Sequence, residues 1–125
     1  MLARRLNLNA RDMDPRVERA LTEMERRIAE RLTVRELAQT AQLSPSRFAH
    51  LFRQQTGYTP MRQLFLIRME RARVLLARTT LPVNQIMGRV GYSDPSHFAR
   101  DFRVHHELGP SEYRQQCYAV NRVSR

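Results

Sequence analysis

The sequence predicts an all-α fold of about seven helices, and three observations lead there. Helix caps recur along the chain, strand-like alternation is absent, and one stretch of helical sequence occurs twice. The chain has 125 residues, is 42% hydrophobic, and holds only 4 Gly and 6 Pro. That is apolar material for one packed domain, with too little Pro or Gly for a disordered or fibrous chain.

The elements follow in order. Asp14-Pro15 offers an N-cap and a Pro at the first helical position. Val17, Leu21, Met24, Ile28 and Leu32 then recur at steps of three and four, so an amphipathic helix is expected through Leu32. Thr33 and Glu36 form a capping box that opens a short second helix. Ser44-Pro45 opens a third, expected to end near Gly57 in a left-handed cap. Thr59-Pro60 starts a long fourth helix over about 59–79, roughly 27 Å at 1.5 Å per residue for its central eighteen residues. Pro82-Val83, Asp94-Pro95 and Gly109-Pro110 open the remaining three.

Residues 45–53 read Pro-Ser-Arg-Phe-Ala-His-Leu-Phe-Arg, and residues 95–103 read Pro-Ser-His-Phe-Ala-Arg-Asp-Phe-Arg, with six of nine pairs identical. Chance would give on the order of one. Upstream the match continues at an offset of 49, pairing Val34 with Val83, Leu37 with Ile86, Ala41 with Val90 and Leu43 with Tyr92. The second copy therefore carries one extra residue in its turn, around Asp94. Each copy is a short helix, a tight turn and a longer helix, which is a helix-turn-helix, over about 33–57 and again over about 82–106.

On a helical wheel of about 100° per residue, Phe48, Leu51, Phe52 and Gln55 of the first longer helix share one face. Ser46, His50 and Arg53 point the other way, with Arg47 and Gln54 on a shoulder. In the second copy Phe98 and Phe102 face inward while Ser96, Arg100 and Arg103 face outward, with His97 on the shoulder. The Phe pairs are core. An outward face of Ser, His and Arg starting at a helix N-terminus is what a major groove accepts, because Arg can grip guanine bidentately and Ser can serve several bases.

Charge supports that reading. The formal net charge is +10, from 22 basic and 12 acidic residues, and every basic residue is arginine. Uniform use of Arg over Lys fits the codon bias of a GC-rich genome; the placement of the charge is the informative part. Residues 1–31 hold eight Arg and six acids, whereas Leu37 to Met69 holds four Arg and no acid. A balance this basic points first to nucleic acid and less strongly to an anionic membrane. No apolar run approaches the ~18 residues of a membrane helix, and Met1 to Arg11 lacks the apolar core of a signal peptide. One cysteine, Cys117, excludes an internal disulfide, and a cytoplasmic setting is expected.

An enzyme would need a constellation, and none assembles. His105, His106 and Glu107 are adjacent, so their side chains diverge by about 100° each and cannot share one metal well. They read as a surface turn. His50 and His97 fall on separate helices at non-equivalent positions, and Cys117 has no CxxC partner. No cofactor and no metal is expected.

Taken together, Leu43-Ser44-Pro45-Ser46-Arg47-Phe48, Leu51-Phe52-Arg53, Gly57, the Arg68…Ala72…Leu75-Leu76 pattern and Ile86…Val90-Gly91-Tyr92-Ser93-Asp94 carry a family resemblance, continued by Ser96…Phe98…Phe102-Arg103 and Pro110-Ser111-Glu112-Tyr113. The chain resembles the C-terminal DNA-binding domain of AraC/XylS transcription regulators over about Arg16 to Gln115. The resemblance implies two helix-turn-helix subdomains joined by a rigid linker helix, with recognition helices in successive major grooves. By position it implies base reading by Ser46, Arg47, His50, Ser96, His97 and Arg100. Phosphate contacts are expected from Arg53, Gln54, Thr59 and Arg103. The implied partners are a double-stranded DNA operator, RNA polymerase, and an effector-binding and dimerisation domain absent from this chain. The domain is placed at 14–118, with a linker or N-terminal extension at 1–13 and a tail at 119–125. The alternative is a protein-interaction module that contacts transcription machinery without reading DNA sequence.

Three positions depart from the family pattern: Met87 in place of a small residue, Glu107 in place of Gly, and Gly109 in place of a Ser cap. A left-handed Glu is costly, so the turn from His105 to Pro110 is expected to be rebuilt. Asp101 stands where the first copy has Leu51, and an arginine at the rim is its expected partner.

Overall fold

The structure is a computed structural model that describes residues 13–123. Among these residues there are seven α-helices and no strand: α1 (Pro15–Arg26), α2 (Val34–Thr40), α3 (Pro45–Thr56), α4 (Pro60–Arg78), α5 (Val83–Arg89), α6 (Pro95–His106) and α7 (Pro110–Val123). The described chain falls into two compact units that divide between Ile67 and Arg68, inside α4. The expected extension at 1–13 lies outside the described residues except for Met13, which is buried and belongs to the core.

In the first unit, α1 and α2 pack with α3. Val17, Met24, Phe48 and Phe52 are wholly removed from solvent, and each such side chain contributes about 1.5–3 kcal/mol of burial. Asp14 caps α1 by accepting from the Arg16 amide, and its own amide donates to Gln55 Oε1 at 2.7 Å, fixing the start of α1 to α3. The helix ends at Arg26, not at Leu32 as the spacing predicts. Ile28 and Leu32 are still buried, but a helix carried to Leu32 would leave only the Thr33 cap to reverse the chain into α2. The segment 27–32 supplies that reversal. Thr33 accepts from the Glu36 amide as expected, yet the Glu36 carboxylate takes the Thr33 hydroxyl and Arg27 rather than the Thr33 amide. The capping box is half formed.

The two copies of the repeat are built alike. Leu43 donates its amide to the Ala38 carbonyl and Tyr92 to the Met87 carbonyl, both at 3.0 Å. Gln42 and Gly91, the equivalent residues in these turns, both take left-handed φ, 58° and 90°. Gln42 carries a backbone cost there that Gly91 does not. Ser93 is the extra residue, so Ser44 caps α3 but Asp94 caps α6.

The second unit is centred on Phe98 and Phe102, with Met69, Leu76, Ile86 and Val90 also buried. The turn after α6 is not rebuilt. Glu107 adopts φ 70° and donates its amide to the Arg103 carbonyl, as Gly57 at φ 84° donates to Arg53. The repeated framework holds the turn, and Glu107 bears the left-handed strain. Glu107→Gly is therefore expected to stabilise the chain by about 1 kcal/mol, less whatever flexibility Gly adds to the unfolded state. Urea unfolding checks this; a lower midpoint would show that the glutamate side chain stabilises the turn through contacts of its own.

α7 runs to Val123, through residue 119 where a tail is expected to begin. Ala119, Val120 and Asn121 are helical yet exposed. His106 also departs from the expected surface turn. It is half-buried, its Nε2 lies 3.1 Å from the Met69 carbonyl, and its ring packs tilted against Phe102 with centroids 4.5 Å apart.

Candidate nucleic-acid interface

α3 presents its outer face as the wheel predicts. Ser46, Arg47, His50, Arg53 and Gln54 are all exposed, while Phe48 and Phe52 are at zero exposure behind them. Ser44 Oγ accepts the Arg47 amide at 3.2 Å and fixes the first turn. Ser46, Arg47, His50 and Gln54 line one shallow groove of about 410 Å3, floored by Leu43 and Leu51. Arg16, from the start of α1, lines the same groove. Sequence reasoning missed Arg16, because nothing in the local pattern says that α1 begins beside α3. Thr59 is exposed, and its Oγ1 accepts the Arg62 amide, so it caps α4 in addition to any contact it makes outside the chain.

α6 repeats the geometry with different chemistry. Ser96, His97, Arg100 and Arg103 are exposed. Asp94 Oδ1 takes the Ser96 amide at 3.0 Å. Among the described residues no ion pair holds Arg47, Arg53 or Arg100, which leaves three guanidinium groups for an external anion. Arg103 differs: it is paired with Glu112, and a Cβ at Gly109 would fall 2.9 Å from Glu112 Oε1 and 3.0 Å from Arg103 Nη2, the movable ends of two long side chains. Glu112 also receives the Gly109 amide, so it closes the start of α7 as well as pairing with Arg103.

Among the described residues Asp101 has no arginine partner. Its Oδ2 accepts from the Tyr92 hydroxyl at 2.7 Å and lies 3.2 Å from His97 Nε2. The His97 ring stands edge-on to Tyr92, with centroids 5.2 Å apart. Burial first, and then the hydrogen bond to Asp101, push the Tyr92 phenol well above its ordinary range, so it stays a donor. The first copy has Leu43 and Leu51 at these two positions, with Arg47 above them. In the second copy a polar pair engages the residue at the equivalent place, His97. Its contact with Asp101 joins positions four apart on one helix, and at half exposure this pair is worth a few tenths of a kcal/mol.

Among the described residues no cluster of His, Cys, Asp and Glu could hold a metal ion, and no helix is long and apolar enough to cross a membrane. Cys117 is a free, half-buried thiol beside Ala77 and Arg78.

Comparison with known proteins places this geometry. A helix-turn-helix domain family matches residues 37–116. The arabinose operon regulatory protein of Escherichia coli is 35% identical over 106 residues, which is 84% of this chain and 36% of that protein. The lactose operon transcription activator of Staphylococcus xylosus is 34% identical over 90 residues, 72% of this chain and 32% of that protein. The chain thus spans about a third of the length of the curated relatives it matches. Among solved structures, the DNA-binding domain of AdpA in complex with a target DNA superposes with a TM-score of 0.81 at 26% identity, covering 86% of this chain and 96% of that one. An AraC-type regulator from Chromobacterium violaceum gives a TM-score of 0.76 at 32% identity, covering 82% and 92%. A doubled, capped helix-turn-helix and a family match over most of the chain lead to one conclusion: the chain belongs to the helix-turn-helix family of AraC-type transcription regulators.

Proposed function

We propose that this chain binds double-stranded DNA sequence-specifically, as the DNA-binding part of a bacterial transcription regulator, with α3 and α6 each reading a major groove. One observation carries the reading. The same capped helix, with buried Phe at i and i+4 and exposed Ser, Arg and His on the other face, is built twice in one basic chain. The AdpA domain, solved on its target DNA, supports it from outside the chain.

Roles follow from chemistry. Ser46, Arg47, His50, Ser96, His97 and Arg100 read base edges, and Arg53, Gln54, Thr59 and Arg103 hold phosphates. Arg103 must share itself between Glu112 and a phosphate, so Arg53 makes the stronger backbone contact. There is no catalytic step and no cofactor in this reading. Recruitment of RNA polymerase, coupling to an effector-binding and dimerising domain, and work in the cytoplasm are the roles it assigns to the regulator as a whole.

Selection of bound duplexes from a random pool tests the reading. An enriched motif is expected, and the slope of log K against log salt on that duplex should be about −1.8 or steeper, because Arg53 and Arg103 alone neutralise two phosphates at about 0.9 each. A module that contacts only transcription proteins would enrich no motif and bind duplexes weakly and alike. That result would sink the proposal.

A further inference from the structure

The groove beside α3 has one wall that the helix-turn-helix itself does not supply. Arg16 stands on α1, outside the repeat, yet lines the groove with Arg47 and His50. Asp14 grips its guanidinium on one edge, taking Nε at 3.1 Å and Nη2 at 2.9 Å. Nη1 has no partner among the described residues, and the side chain is 40% exposed. The Asp14 carboxyl is held down to about 2, chiefly by the side-chain and backbone hydrogen bonds from Arg16, so the grip persists at any physiological pH. An arginine fixed in this way has already given up much of the rotamer entropy that a free one loses on binding.

We propose that Arg16 is a phosphate-binding residue for duplex DNA, clamping the backbone of the strand that borders the groove read by α3. This rests on the DNA-binding function proposed for the chain and adds a contact to it. A phosphate, not a base, fits the geometry: α3 carries the residues that reach base edges, and a cation at the side of that groove, on a separate helix, meets the strand that walls it. Nη1 supplies the donor, and Asp14 sets the plane of the fork. No acid lies between Leu37 and Met69, so α3 sets no negative charge against a phosphate there; the Asp14 carboxylate does, and Arg16 shares itself between the two as Arg103 does.

The test uses the duplex enriched by this chain, binding titrations across salt, and interference by ethylation of single phosphates. Arg16→Gln is expected to weaken binding about eightfold at ~0.1 M salt, equally for every single-base variant, and to flatten the salt slope by about 0.9. One phosphate should cease to interfere when ethylated. Arg16→Lys keeps the charge and should keep the slope. Arg16→Met, which retains the aliphatic stem, replaces Arg16→Gln if that variant does not fold. An unchanged slope with an unchanged interference pattern overturns the inference and leaves the DNA reading standing. A changed base preference overturns it as well, by making Arg16 a base reader. If the unaltered chain enriches no duplex and its slope is flat, the DNA reading and this inference fall together.

Discussion

Replacing Phe102 with Ala is expected to cost about 3–5 kcal/mol, the range set by emptying a fully packed aromatic site. Phe102 is wholly buried. Its ring lies 6.0 Å from Phe98, 4.5 Å from His106 and 5.8 Å from Tyr113, so it joins α6 to α7 and backs the helix that carries Ser96 and Arg100. Removing the ring loses its transfer energy and leaves a cavity, because three of its neighbours are rigid rings that cannot collapse inward. Set against a net stability of about 5–15 kcal/mol for a domain of this size, the loss removes a large fraction of the total. Val104→Ala, on the same helix but 77% exposed, should cost less than about 0.5 kcal/mol. Urea unfolding of both variants reads the difference directly. A Phe102→Ala loss below about 1 kcal/mol, well under the usual cost of an emptied aromatic site, would mean that the second unit does not depend on this cluster.

What could be read from the sequence was what local chemistry determines. The Phe pairs at i and i+4, the caps at Ser44, Asp94 and Gly57, and the exposed face of each longer helix depend on residues within one or two turns, and all stand where the pattern puts them. The misses share a cause: each depends on a partner that sequence spacing does not bring near. Asp101 finds Tyr92, which lies in the turn before α6, and a rule of opposite charges points to arginine instead. Glu107 keeps the left-handed turn because the surrounding repeat outweighs a cost of about 1–2 kcal/mol. The end of α1 at Arg26 was hidden because Ile28 and Leu32 stay buried at helical spacing after the helix has stopped. Arg16 reaches the groove only through the packing of α1 on α3.

Arg100→Ala is expected to lose about 1–3 kcal/mol of discrimination at one guanine, and more binding than His50→Ala loses. The two residues are equivalent in the repeat, fifty positions apart, and the chemistry of the two exposed faces is exchanged between them. The first copy runs Arg47 then His50; the second runs His97 then Arg100. Three residues are about 4.5 Å along a helix, so the guanidinium fork sits nearly one turn further along α6 than along α3. The guanine gripped by each helix should accordingly fall at a different place in its half of the operator. Arg100 is free to make the bidentate contact with O6 and N7, since no ion pair holds it among the described residues, whereas an imidazole at His50 offers a single contact. His97, occupied by Asp101 and Tyr92, should contribute less than Arg47 at the position they share. Binding of each variant to a panel of single-base duplexes separates these outcomes. Relaxation at one base pair, with the others unchanged, marks Arg100 as a base reader. Equal weakening across the panel, together with a flatter salt slope, would make it a phosphate contact and would remove the basis for exchanged reading faces.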